Sequence, residues 1–191
     1  VADADDHLLT AARIAIAGNI MDFGVFATFD VEDSLQRALD GDFGVEDFDA
    51  FRVRAKTARR VLYIADNAGE IAFDRVLLEQ MSGAHITVAV KSAPFINDAM
   101  LADAEEVGLG AVGHLIGIPP GATGAPEFDR AWAQADIIIA KGQGNYEVFS
   151  DADGPLFFLL LAKCPVIAAS IGVRQGDMVF EAQATPRVLT H

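Results

Sequence analysis

The protein has 191 residues, 52% of them hydrophobic, and a formal net charge of −14. This composition excludes a disordered chain and suffices for one domain with a sizeable core. The acidic balance makes nucleic acid a poor partner, because phosphate backbones attract Lys and Arg. No apolar run reaches the length of a membrane span and no signal peptide is evident, so we expect a cytoplasmic protein without a membrane partner.

The first part of the chain has helical spacing. Apolar residues recur at helical intervals over 5–20, and we predict further helices over 31–39 and 46–58. We assign 1–58 to a helical segment, the remainder of an N-terminal helical region packed on the sheet. The chain starts at Val1 without Met and enters directly into a helical pattern, so we expect a fragment whose beginning is missing.

From residue 61 the pattern changes to alternating strands and helices, which we assign to a metal-binding domain over 59–191. Short β-branched apolar runs predict strands buried on both faces. The predicted strands are 61–65, 86–90, 114–118, 136–140 and 165–171, and the predicted helices are about 70–82, 97–107, 127–134 and 155–163. This alternation is typical of a three-layer α/β fold with a mainly parallel sheet and flanking helices.

Polar side chains follow the predicted strands at one edge of the sheet. Asp66 and Asn67 follow the first strand, Lys91 and then Asp98 follow the second, and Lys141 follows the fourth. Ligands of open α/β sheets bind beyond the carboxyl ends of the strands. Asp66, Asn67 and Asp98 offer hard oxygens without sulfur or imidazole, which suits Mg²⁺ or Mn²⁺. The sequence therefore predicts a divalent-metal site on these three residues.

Two lysines and two glycines at the same edge predict an anion site. Lys91 and Lys141 stand at corresponding places on two strands, where they could hold a phosphoryl group opposite the metal. The alternative is a structural role in neutralising the carboxylates. Gly142 and Gly144 would let backbone amides approach an anion. For Glu70, at the start of a predicted helix, we favour helix capping over a role in the site.

These motifs together resemble the damage-control phosphatase family, which is also called the protein-glutamate methyltransferase-like domain. The resemblance is carried by GNIMDFG (18–24), DNAGEIAFD (66–74), VKSAPFINDA (90–99), DIIIAKGQGNYE (136–147) and KCPVIA (163–168). The match runs in order over nearly the whole chain, and the combination of DNAGE with KGQGNYE is specific. This version is similar to the prokaryotic and archaeal branch.

The resemblance implies a divalent-metal phosphatase of small phosphorylated metabolites such as sugar phosphates. Its cofactor would be Mg²⁺ or Mn²⁺, with Co²⁺ or Ni²⁺ as alternatives. The resemblance implies that Asp66, Asn67 and Asp98 bind the metal, and that Asp66 and Lys141 are catalytic, Lys141 by contacting phosphate. The expected substrate-binding residues are Asn19, Asp22, Glu70, Lys91, Gly142, Gly144 and Asn145.

The nucleophile, the oligomeric state and two rival functions stay open at this point. Phosphatases that form an aspartyl-phosphate place a second Asp two residues after the nucleophile, and Ala68 at that position favours water. An S-adenosylmethionine-dependent carboxyl methyltransferase would need a glycine-rich loop after the first strand. That loop has a single glycine, Gly69, and Lys91 ends the second strand where an acidic residue is needed. A non-catalytic metal or phosphometabolite-binding protein is the other alternative.

Overall fold

A computed structural model describes residues 6–19, 36, 39–120 and 125–183 of the chain. Its strands are β1 (Phe43–Glu46), β2 (Arg60–Ile64), β3 (His85–Lys91), β4 (His114–Ile118), β5 (Ile137–Lys141), β6 (Leu156–Leu161) and β7 (Met178–Ala182). Its principal helices are α1 (His7–Gly18), α2 (Phe48–Ala55), α3 (Ile71–Glu79), α4 (Leu101–Glu106), α5 (Pro126–Gln134), α6 (Gly142–Phe149) and α7 (Pro165–Ile171). None of the described helices has the length and apolar character that a membrane span requires.

The strands form one sheet in the order β1-β7-β6-β5-β2-β3-β4. All neighbouring strands are parallel except the antiparallel pair β6 and β7. The chain moves outward from β2 to β4, and then from β5 to β6 on the other side, so its direction reverses between β2 and β5. A reversal of this kind opens a crevice at the carboxyl ends of the two strands, where ligands bind in such folds.

Alternate residues of the central strands pack on opposite faces of the sheet. Val61 and Tyr63 belong to a core that includes residues of α1, α2 and α3, whereas Leu62 and Ile64 belong to a core with α5, α6 and α7. Because helices cover both faces, β2 is apolar in consecutive positions rather than in alternate ones. This arrangement confirms the predicted three-layer α/β class with a mainly parallel sheet.

Two predictions near the C-terminus are wrong. The predicted helix over 155–163 contains strand β6, and the predicted strand over 165–171 is helix α7. Strand β6 reads LFFLLL and is buried on both faces, so it lacks the alternation that identifies a half-exposed strand. Pro165 is the first residue of α7, a position where the missing N–H of proline leaves no hydrogen bond unmade.

The segment 1–58, which we assigned as helical, also contains a strand. Strand β1 lies within this segment and pairs in parallel with β7, so the segment contributes an edge to the sheet. The predicted helices over 5–20, 46–58, 70–82 and 127–134 are confirmed by α1, α2, α3 and α5, with shorter bounds for the first three. The predicted helix over 31–39 lies mostly outside the described residues.

Candidate metal and phosphate site

The predicted site lies where the strand order reverses. Asp66 and Asn67 follow β2, whose neighbours β3 and β5 end in Lys91 and Lys141. A cleft of about 380 Å³ opens at this edge of the sheet. The predicted site residues that line it are Asn19, Asp66, Asn67, Lys91, Asp98, Gly144 and Asn145. The lining residues that were not predicted are Phe95, Ile96, Asn97, Gln143, Val148 and Lys163.

A larger cavity of about 680 Å³ lies at the opposite edge of the sheet, around the amino ends of β2 and β3. Its lining includes the exposed side chains of Arg60, His85 and Arg130 and none of the polar residues that follow the strands. We therefore place the candidate site in the smaller cleft, where the strand ends bring unlike polar groups together.

The loop before α4 folds back over the end of β2 and delivers Asp98 to the cleft. Asn67 and Asp98 form an antiparallel bridge, and the N–H of Ala99 donates to the carbonyl oxygen of Asp66 at 2.8 Å. Nζ of Lys91 then lies 3.5 Å from Oδ2 of Asp98. This backbone pairing explains why α4 begins at Leu101, four residues later than predicted.

Asn19 reaches the site from the C-terminal end of α1. A Cβ built on Gly18 would lie 3.1 Å from the Cβ atoms of Glu70 and Phe73, so a glycine there permits the close approach of α1 to α3. Nδ2 of Asn19 donates to Oδ2 of Asp66 at 3.2 Å and to Oε1 of Glu70 at 3.0 Å. Asn19 is 1% exposed, and its Oδ1 has no hydrogen-bond partner among the described residues.

Lys141 lies beneath the cleft and does not line it. The residue is fully buried, and its Nζ donates to Oδ1 of Asp74, to Oε2 of Glu70 at 3.2 Å and to the carbonyl oxygen of Ala15 at 2.9 Å. The Ala15 carbonyl is in the last turn of α1, where carbonyls lack partners within the helix. The ammonium group thereby joins β5 to α1 and α3. Its predicted contact with phosphate stays a prediction.

Glu70 and Gly142 also lie behind the cleft, and Asp22 is outside the described residues. Glu70 stands at the N-cap position of α3, but its carboxylate accepts the N–H of Asn67 rather than a helix N–H, so the capping explanation is wrong.

Gly142 has φ +77°, and a Cβ on it would overlap the carboxylate of Asp66. A glycine is therefore required there by the approach of Asp66, whatever its relation to an anion.

Residues of α6 tie the neighbouring elements to the site. Nδ2 of Asn145 donates to the carbonyl oxygens of Ala65 at 3.1 Å and Lys141 at 2.7 Å, which links the ends of β2 and β5. Oε1 of Gln143 accepts the N–H of Cys164 at 3.0 Å, which links α6 to α7. The presence of Gln143 and Lys163 within the quoted motifs was the signal that could have identified them as lining residues.

The buried charges shift one another's pKa values. Burial and the neighbouring Glu70 raise the pKa of Asp66 to about 7, although Lys141 acts in the opposite direction. Burial alone would raise the pKa of Glu70, but Lys141 and the N–H of Asn67 hold it below its usual range. Burial disfavours the Lys141 cation, yet Asp74 and Glu70 raise its pKa well above the usual value. Such shifts are common at functional sites.

The donor atoms fit a hard divalent cation. Asp66 and Asp98 supply carboxylates, Asn67 supplies an amide, and the unpartnered Oδ1 of Asn19 is a further oxygen of the type that Mg²⁺ and Mn²⁺ prefer. Over the part of the chain that the structure describes, no group of three His, Cys, Asp or Glu residues could hold a metal. A cation in this cleft would therefore depend on the amide oxygens as well as the carboxylates.

Comparisons with known proteins place the chain in a family. Residues 1–179 match the model of the damage-control phosphatase ARMT1-like domain. The chain is 39% identical over 180 residues to a protein from Pyrococcus horikoshii named damage-control phosphatase, an alignment that covers 88% of this chain and 63% of the relative. It is 36% identical over 198 residues to a damage-control phosphatase from Archaeoglobus fulgidus, covering 94% of this chain and 66% of the relative.

The fold is similar to that of a solved structure. A crystal structure of a DUF89 family protein from Pyrococcus horikoshii matches with a TM-score of 0.85 and 35% sequence identity, over 95% of this chain and 68% of that one. The chain therefore spans about two thirds of the length of the relatives it matches. These matches confirm the predicted family, and the chain belongs to the ARMT1-like damage-control phosphatase domain family.

Proposed function

We propose that the protein is a divalent-metal-dependent phosphatase that hydrolyses small phosphorylated metabolites such as sugar phosphates. The observation that carries the proposal is the convergence of Asp66, Asn67, Asp98 and Lys91 in one cleft at the reversal of strand order. The names of the two archaeal relatives and the family membership support the reaction class.

Asp66, Asn67 and Asp98 would hold Mg²⁺ or Mn²⁺. When bound, such a cation polarises a phosphoryl oxygen and offsets negative charge that develops on the transferred group. Lys91 is 9% exposed, lines the cleft and lies beside Asp98, so its ammonium group can bind a second phosphoryl oxygen. Ala68, which stands where an aspartyl-phosphate enzyme carries its second Asp, favours water as the nucleophile.

The size of the cleft supports a small substrate. A volume of about 380 Å³ is at the lower end of the range for small-molecule sites. Three apolar residues that line the cleft are exposed: Phe95 at 47%, Ile96 at 89% and Val148 at 51%. These side chains would contact the part of the substrate that does not carry the phosphate.

The test is the release of inorganic phosphate from a panel of sugar phosphates and other phosphomonoesters. The protein would be freed of metal and assayed with Mg²⁺, Mn²⁺, Co²⁺ or Ni²⁺, with a chelator as the control. We expect release that requires metal and stops when the chelator is added. Metal binding without release from any phosphomonoester would instead support the non-catalytic alternative.

A further inference from the structure

We infer that Glu70 is a positioning residue that holds the side-chain amides of Asn19 and Asn67 by their nitrogen atoms, and that it thereby leaves the oxygen of Asn19 available to the metal. Asn19 would thereby add a metal ligand from α1 to those that follow β2 and β3. The inference rests on the metal site of the proposed function and extends it to Asn19 and Glu70, which were predicted to bind substrate.

The contacts define which end of each amide faces Glu70. Nδ2 of Asn19 lies 3.0 Å from Oε1 and 3.1 Å from Oε2 of Glu70, and Nδ2 of Asn67 lies 3.3 Å from Oε1. The same two nitrogen atoms donate to Oδ2 of Asp66, at 3.2 Å and 3.1 Å. Glu70 is ionised, because Lys141 and the N–H of Asn67 hold its pKa below the usual range despite its burial, and an ionised carboxylate only accepts hydrogen bonds. The nitrogen rather than the oxygen of each amide must therefore face Glu70.

This orientation determines which atom of each amide can bind a ligand. The nitrogen and oxygen atoms of an amide diverge from one carbon, so an amide held at Nδ2 directs its Oδ1 away from Glu70. Both asparagines line the cleft, and the Oδ1 of Asn19 is buried without a partner among the described residues. An unpartnered buried oxygen is unfavourable, and coordination of a cation would satisfy it.

Glu70 is itself fixed from two sides. Its Oε1 accepts the N–H of Asn67 at 3.0 Å, and its Oε2 accepts Nζ of Lys141 at 3.2 Å. Lys141 is anchored in turn by Asp74 and by the carbonyl oxygen of Ala15. Glu70, Lys141 and Asp74 are at most 1% exposed, so water does not compete for these contacts. Lys141 therefore supports the metal ligands through Glu70, in the manner of outer-shell residues at metal sites.

The test compares Glu70→Gln with Asp74→Asn. The glutamine keeps the shape of Glu70 but replaces one acceptor oxygen with an NH₂ group. This group cannot accept a hydrogen bond from an amide nitrogen. In place of Oε1, the NH₂ group would face the nitrogens of both asparagines; in place of Oε2, it would face Nδ2 of Asn19 and Nζ of Lys141. The hold on Asn19 weakens in either case. Asp74→Asn removes the other carboxylate bound to Lys141, and therefore the same negative charge. None of the described hydrogen bonds joins Asp74 to either asparagine. It is the matched control for charge and for the packing of Lys141.

The measurement is the dissociation constant for Mn²⁺ by calorimetric titration of the metal-free proteins. We expect Glu70→Gln to weaken Mn²⁺ binding by about 10- to 100-fold, as outer-shell substitutions do, and Asp74→Asn to stay close to wild type. Equal weakening in both variants would overturn the inference, because charge rather than amide orientation would then be responsible. Undiminished binding by Glu70→Gln would also overturn it. Absence of Mn²⁺ binding by the wild type would instead refute the metal site of the proposed function itself.

A second variant keeps the inference testable should Glu70→Gln fail to fold. Asn19→Ala removes one amide and leaves the contacts of Glu70 with Lys141 in place. We expect about tenfold weaker Mn²⁺ binding, together with a lower melting temperature because the buried hydrogen bonds to Asp66 and Glu70 are lost. Where Glu70→Gln does fold, the losses of affinity in the double variant should be less than additive in free energy, because both act through the same amide. Wild-type affinity in Asn19→Ala would overturn the assignment of Asn19 as a ligand.

Discussion

The carboxylate of Asp66 lies directly against the α-carbon of Gly142. A Cβ built on Gly142 would overlap the carboxyl group, and this residue adopts φ +77°. Only glycine satisfies both conditions, because it lacks the Cβ and adopts positive φ without strain. The start of α6 can therefore pack against the end of β2, which holds the Asp66 side chain in place at the base of the cleft.

Gly142→Ala should destabilise the protein and weaken Mn²⁺ binding together. A residue strained at positive φ costs about 1–3 kcal/mol, and the overlap with Asp66 would displace a proposed ligand. Gly144→Ala is the matched control, because a Cβ there meets nothing within 4 Å and Ala favours the helix by up to about 1 kcal/mol. Thermal unfolding and Mn²⁺ titration measure both effects. Similar results for the two variants would contradict the close contact.

Lys141→Met should destabilise the protein strongly. The substitution leaves the buried carboxylates of Glu70 and Asp74 without their cation, and breaking a buried ion pair from one side typically costs about 3–5 kcal/mol. The free energy of unfolding in urea measures this loss. A Lys141→Met protein with wild-type stability that no longer binds phosphate would instead support the contact with phosphate that the sequence predicted.

Lys91→Met should weaken phosphate binding with little loss of stability. Lys91 ends the strand on the other side of β2, lines the cleft and pairs with Asp98 at 3.5 Å. Its loss should lower the melting temperature much less than the loss of Lys141, but it should weaken the binding of inorganic phosphate in the presence of Mn²⁺. Wild-type phosphate binding in this variant would show that Lys91 does not contact the phosphoryl group.

Asp74 should make stability depend on pH between about 4 and 6. Burial raises its pKa from 3.8 to about 6, so over this interval the folded state binds more protons than the unfolded state. The contribution of this group to stability therefore falls as the pH rises. Asp74→Asn lacks the contribution, so the stability of the wild type relative to the variant should decrease from pH 4 to pH 6, as the folded group ionises. A relative stability that increased with pH in urea unfolding would contradict this assignment.

Asp66→Ala should abolish Mn²⁺ binding with little loss of folded stability. Burial and Glu70 already disfavour the charged form of Asp66, so removing the carboxylate takes little from the metal-free protein. Asp136→Ala is the contrasting control at the opposite edge of the sheet. Asp136 accepts the N–H groups of Arg59 and Arg60 at 2.8 Å and 2.9 Å, so its loss should lower the melting temperature and leave Mn²⁺ binding unchanged. Retained Mn²⁺ affinity in Asp66→Ala would rule out that ligand.

The central strands and the cleft were predictable from the sequence because they follow local rules. Consecutive apolar residues marked β2, β3 and β5, and the polar residues after them converge because parallel strands end at one edge. Strand β1 was not predictable in this way. It has four residues and pairs with β7, more than 130 positions away, so no local pattern identifies it.

The burial of Lys141 was harder to predict than its position on the strand. Its partners Glu70 and Asp74 are four residues apart at the start of α3, and residues at this spacing lie on one face of a helix. That face also carries the buried residues Leu77 and Leu78, so the two acids occupy a core position. Two carboxylates on a core-facing surface indicate a buried cation, and Lys141 ends a strand with no exposed residue.

Crystallographic location of Mn²⁺ by its anomalous scattering tests the central claim most directly. Crystals would be grown with Mn²⁺ and inorganic phosphate, and the anomalous signal would locate the cation without reference to activity. We predict a Mn²⁺ ion bound by oxygen atoms of Asp66, Asn67 and Asp98, with phosphate between the ion and the ammonium group of Lys91. A protein that binds Mn²⁺ at other residues, with this cleft holding neither ion, would contradict the account.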